Sequence, residues 1–205
     1  MGVNFTATFQ HSLDFKSIEE FKEELVKGDR FPKTVQFILQ VNEHNPHLRR
    51  NWSINRERII ESMNFDPFDP ILIGDEEYIE VYGPGGFDFI FNRSICEFTS
   101  CFRWYSFLVN PDLQQELRNI CKEVADYFGY DFSIYIGDSY CTLDYVFEGR
   151  DMDYFKEAIK RRFGESQETL KELLDKADKE RSSAGYYIDN FSDIANKSTD
   201  HNAFC

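Results

Sequence analysis

Residues 76–91 read EEYIEVYGPGGFDFIF, and this stretch leaves the chain little freedom. Ile79 and Val81 share one parity, and Phe87, Phe89 and Phe91 share it with them. Alternate residues of an extended chain point to opposite faces. For both runs to reach one core, residue 81 must oppose 89 and residue 79 must oppose 91, which leaves Pro84-Gly85-Gly86 as the loop. Proline presets the first turn position, and glycine supplies the left-handed residue that such a loop requires. An antiparallel hairpin is therefore predicted, with Tyr78, Glu80, Tyr82 and Asp88 on its outward face.

A second hairpin is predicted at FSIYIGDSYCTLDYVFEG, residues 132–149. Tyr130, Phe132, Ile134 and Ile136 form one apolar set; Cys141, Leu143, Tyr145 and Phe147 form its counterpart. Pairing the even set with the odd one puts 136 opposite 141, with Asp138 and Ser139 at the tip, where aspartate is favoured. Ser133, Tyr135, Tyr140, Asp144 and Glu148 then face outward.

Elsewhere the pattern switches between periods of two and of 3.6. Val3 to Phe9 alternates as a strand. Ser17 with Glu20 reads as a capping box opening a helix, with Ile18, Phe21 and Leu25 as its buried stripe and Gly28 as its stop. Thr34 to Val41 reads as a strand, and Asn55 to Ser62 as a short helix. Ile95 to Val109 is apolar on both faces and reads as a central strand, with a helix as the alternative. Asn110-Pro111 is a helix start, followed by Leu113, Leu117, Ile120, Val124 and Phe128 down one face to Gly129. Asp151–Phe163 and Ser166–Arg181 read as two amphipathic helices separated by Gly164. The resulting expectation is an α+β fold: a largely antiparallel sheet built from hairpins, with helices packed on one face. Residues 1–181 are expected to form one domain, and the polar stretch 182–205 to dock on it through Tyr186, Tyr187 and Phe191.

Charge narrows the function classes. The 205 residues carry 37 acidic against 23 basic side chains, a net of −14. That field repels phosphate backbones and draws in basic partners, so a nucleic acid is not the expected ligand. Four arginines around Trp52 (Arg49, Arg50, Arg56 and Arg58) form the only basic concentration, and they read as partners for the chain's own carboxylates. No run of about 18 apolar residues predicts a membrane span. The first residues lack a leader pattern, and Gly2 with Thr6 matches a myristoylation pattern without a polybasic second signal. Five cysteines without a C-x-x-C pair read as reduced thiols, so a cytoplasmic protein is expected.

Catalytic and metal motifs do not emerge. Gly137-Asp138-Ser139 is followed by a strand pattern rather than the helix of a nucleophile elbow. His44 and His47 flank Pro46, which prevents the helical spacing of zinc ligands. Asp151 and Asp153 sit where acids offset a helix dipole. No cofactor or metal is expected. The feature that points outward is the pairing of tyrosines with carboxylates on two hairpins: Tyr78, Glu80, Tyr82 and Asp88, and Tyr135, Tyr140, Asp144 and Glu148. Tyrosine offers rigid contact area with a polar tip, and carboxylates steer a basic partner. The expectation is a non-enzymatic acidic protein that binds a basic protein, as inhibitor or immunity-type proteins do. A hydrolase with converging carboxylates is the alternative.

Overall fold

The computed structural model describes residues 3–44, 51–58, 77–137, 148–180 and 184–191. These form a seven-stranded, wholly antiparallel sheet and six α-helices, so the fold is α+β. The strands are β1 (Asn4–Gln10), β2 (Ser53–Arg58), β3 (Glu77–Tyr82), β4 (Asp88–Phe91), β5 (Ile95–Arg103), β6 (Phe132–Ile136) and β7 (Tyr186–Asn190), in the spatial order β2-β3-β4-β5-β1-β6-β7. The helices are α1 (Phe15–Lys27), α2 (Pro32–His44), α3 (Trp104–Val109), α4 (Pro111–Phe128), α5 (Met152–Phe163) and α6 (Leu170–Glu180).

The β3–β4 hairpin has the register its parities require. Ile79 pairs with Phe91 and Val81 with Phe89. Pro84–Gly86 makes one turn of 3-10 helix, in which Gly85 and Gly86 take φ of +69° and +76°, values that disfavour a side chain.

Most of the core lies between one sheet face and α1, α2, α3, α4 and α6. Phe5, Phe9, Phe21, Phe31, Phe87, Phe89, Phe91, Phe98 and Phe107 are all fully buried there. Phe21 illustrates the packing: its ring meets Phe31, Phe89 and Phe91 edge-on at 5.2–5.6 Å, the arrangement that aromatic quadrupoles favour. A smaller core sits on the opposite face, where Met152, Phe155 and Ile159 of α5 cover Ile90, Ile95, Ile134, Ile136 and Tyr186. Among the described residues, the sheet thus has helices on one face throughout and a single helix over part of the other.

Several expectations are corrected. Thr34 to Val41 belongs to α2, not to a strand: Thr34, Phe37, Ile38 and Val41 are its buried face. The residues of the expected helix at Asn55–Ser62 that are described belong to β2, and the rest lie outside the described residues. The long strand from Ile95 ends at Arg103, where the chain turns into α3. The first helix is capped by Asp14, whose carboxylate accepts from the Ser17 N–H at 2.8 Å, so Ser17 lies inside the helix. The start of α4 agrees with its signal: Asn110 Oδ1 accepts from the N–H groups of Asp112 and Leu113, and Gly129 ends the helix in the left-handed region.

Strand β6 departs furthest. Its two edges are taken by β1 and β7, so Ile136 pairs with Thr6 and Tyr186 instead of Cys141. Cys141, Tyr140 and Asp144 lie outside the described residues. With α5 on one side and the main core on the other, β6 is buried on both faces. Strand β7 is drawn from the polar stretch that follows α6, with Tyr186 and Phe191 each 4% exposed.

Candidate functional site

On β3 and β4 the strand pleat separates two sets of residues. Ile79, Val81, Phe89 and Phe91 enter the main core. Tyr78, Glu80, Tyr82 and Asp88 project from the opposite face, and all four are half-buried. Tyr82 stands directly across from Asp88. Its hydroxyl donates a hydrogen bond to Glu80 two residues away, along the same face. Asp88 Oδ1 accepts from the Gly83 N–H at 2.9 Å, so this carboxylate also fixes the hairpin turn. Beneath that turn Trp52 stacks on Phe89, with centroids 6.1 Å apart. A Cβ at Gly83 would come within 2.5 Å of the indole and 2.2 Å of the Phe87 carbonyl oxygen, so the close approach requires glycine. The indole expected beside the arginines is therefore half-buried in the sheet.

Glu148 is half-buried and accepts from Arg150 Nε at 3.1 Å. The Arg150 carbonyl accepts in turn from Asn92 Nδ2 at 2.9 Å, which ties this segment to the end of β4. Tyr135 is the residue the sequence placed wrongly. It is fully buried on the main-core side, between Phe5 and Phe107, and does not face outward. The structure thus brings Tyr78, Glu80, Tyr82 and Asp88 onto one face, ties Glu148 to the end of their hairpin, and removes Tyr135.

Tyr135 instead belongs to a buried polar network. Its hydroxyl donates to Asp189 Oδ2 at 2.8 Å, and Arg118 meets the same carboxylate with two parallel bonds, Nε to Oδ2 at 2.6 Å and Nη2 to Oδ1 at 2.8 Å. Asp189 is 1% exposed. The hydrogen bonds to the carboxylate hold the Arg118 pKa well above its usual value, and burial, foremost, raises that of Tyr135. These groups form one charge-assisted unit. Sequence gave no sign of it, because its members come from α4, β6 and β7.

Among the described residues, one other carboxylate is buried outright. Glu97 on β5 pairs across the sheet with Thr8 and Ile90, on the face opposite the main core. Asp189 lies on the main-core face with Ser133. The sheet stands between them, so these two acids do not flank a common cleft. Among the described residues, no group of three or more His, Cys, Asp or Glu side chains is placed to hold a metal ion. Nor is any described helix long and apolar enough to cross a membrane. Comparison with protein-family models, with curated proteins and with solved structures finds no match.

Proposed function

We propose that the chain is a non-enzymatic, cytoplasmic protein that captures a basic protein through the acidic, tyrosine-bearing face of β3 and β4, in the manner of inhibitor and immunity-type proteins. The observation that carries this reading is the co-facial, half-exposed set of Tyr78, Glu80, Tyr82 and Asp88. Helix α5 packs on Ile90, Ile95, Ile134 and Ile136, and Tyr78 lies at the margin of that cluster. Two tyrosines on a rigid hairpin supply contact area at little conformational cost, and the carboxylates orient an incoming lysine or arginine. The net charge of −14 acts in the same direction over longer range.

Glu80→Lys is the variant that tests it, because Glu80 lies centrally in the set and does not cap the turn. Wild-type and variant chains are each used to capture proteins from the native host's lysate, washed at low and then moderate salt. A basic protein held by the wild type and lost from the variant supports the reading. Identical captured sets, or nothing captured by either, would overturn it. The carboxylate-dependent hydrolase is the weaker reading, since the two buried acids among the described residues, Glu97 and Asp189, lie on opposite faces of the sheet.

A further inference from the structure

A cavity lies at the other end of the sheet, against the edge strand β7. It measures about 740 Å³ and is bounded by Arg118 of α4, Phe132 of β6, Lys156 of α5, the 166–168 connection and residues 187–190 of β7. Its position follows from the backbone. Gln167 makes a parallel bridge to Tyr187, with its N–H donating to the Tyr186 carbonyl at 3.1 Å. The Ile188 N–H donates to Ser166 Oγ at 3.2 Å. Residues 166–167 thus touch the outer edge of β7 through one isolated bridge, and the chain then turns away into α6 at Leu170. The cavity lies along the edge of β7 beside that bridge.

The same hydrogen bonds fix what faces the slot. Tyr186 and Ile188 direct their peptide groups outward, while the Phe191 N–H points inward to the Asp131 carbonyl at 2.7 Å. By the alternation of an antiparallel ladder, the Ile188 carbonyl and the Asn190 N–H share the outward edge. These are the groups that pair with an added strand.

Two cations stand on either side. Arg118 is on the main-core face, bound through Nε and Nη2 to Asp189, and its Nη1 donors make no hydrogen bond among the described residues. Lys156 is on the α5 face, half-buried, with its ammonium 4.2 Å above the Phe132 ring. It forms no ion pair among the described residues, in a chain where acids outnumber bases 37 to 23. Glu168 also lines the slot but is exposed at its rim.

We propose that this slot binds an extended acidic peptide, which adds to β7 as an eighth strand. Its backbone pairs with the Ile188 carbonyl and the Asn190 N–H. Consecutive residues of a strand point to opposite faces, so two adjacent acidic side chains reach Lys156 and Arg118 respectively. Asp189 and Glu168 line the slot as well, so its formal charges balance. Recognition of acidic side chains rests on Lys156, which has no ion pair among the described residues, and on the Nη1 donors of Arg118. The whole-molecule charge is screened beyond about 8 Å at physiological salt. The site is separate from the β3–β4 face and takes a partner of opposite charge.

The competing explanation is that Lys156 and the 166–167 segment only guard an edge against aggregation. The test uses the full chain and two blocked octapeptides, Val-Thr-Val-Glu-Glu-Val-Thr-Val and its Gln-Gln counterpart, at physiological salt, read by hydrogen exchange and by titration. The Glu-Glu peptide is expected to slow exchange of the Asn190 amide. Lys156→Glu should weaken that peptide about tenfold while leaving the Gln-Gln peptide nearly unchanged. Asn190→Pro, which deletes the outward N–H without touching a ladder bond, should abolish binding of both. Unchanged exchange at Asn190 in millimolar peptide, or a Lys156→Glu chain that binds the Glu-Glu peptide as tightly as the wild type does, would overturn the proposal. So would free glutamate binding as well as the peptide, since the slot would then be a small-anion site.

Discussion

At the scale of single residues, the buried polar groups carry the sharpest expectations. His11 is 2% exposed, wedged against Phe91 and Phe128, and burial lowers its pKa from 6.5 to about 4. Its Nδ1 accepts from the Leu13 N–H at 3.1 Å, so protonation there would set a donor against a donor. In the unfolded chain the imidazole binds a proton near 6.5. Between those values the unfolded state holds more protons, so His11 leaves stability complete above 6.5 and erodes it as pH falls toward 4. Urea unfolding should show the wild type losing about 2 kcal/mol more than His11→Gln between pH 7 and pH 5. Parallel losses would remove His11 as the cause. The Arg118–Asp189–Tyr135 unit gives a second expectation. Arg118→Met strands a buried carboxylate and should destabilise by about 3–5 kcal/mol. Tyr135→Phe removes one hydrogen bond to the same charged group and should cost about 1.5–3 kcal/mol, both measured by denaturant unfolding.

At the scale of elements, what was legible in the sequence depended on where the determining contacts lie. The β3–β4 hairpin and α4 carry their instructions locally: parity and a glycine loop in one, Asn110-Pro111 and Gly129 in the other. Helix α2 does not. Thr34, Val35, Phe37, Ile38 and Val41 are rich in β-branched and aromatic residues, which argues for a strand. Its cap comes from another helix: Glu123 of α4 accepts from the Lys33 N–H at 2.8 Å, the Thr34 N–H at 2.9 Å and Thr34 Oγ1 at 2.8 Å. A cap some 90 positions away leaves no local signal. Glu123→Ala should therefore destabilise the fold by about 1–2 kcal/mol and loosen hydrogen exchange at the start of α2, not within α4. A loss confined to α4 would deny Glu123 this role. Strand β6 hides its environment for a related reason. Its alternation correctly separated Ile134 and Ile136 from Tyr135, but no local feature says that α5 and the main core bury both sets. Tyr135 is thus buried against expectation, while Tyr78, Glu80, Tyr82 and Asp88 of β3 and β4 keep the expected face.

At the scale of the whole molecule, the sheet separates unequal faces. One face is filled by aromatic packing beneath five helices, and the other is partly covered by α5. The acidic hairpin lies toward the β2 end of the strand order, and the slot flanked by Arg118 and Lys156 lies at the β7 end. A basic partner drawn in by the net charge should meet β3 and β4 first, with binding that weakens as salt rises. Hydrogen exchange of the full chain, alone and with the basic protein it retains, tests this most directly. The expected result is slowed exchange concentrated in residues 77–91, with β7 unchanged. Protection elsewhere, with 77–91 exchanging as in the free chain, would contradict it.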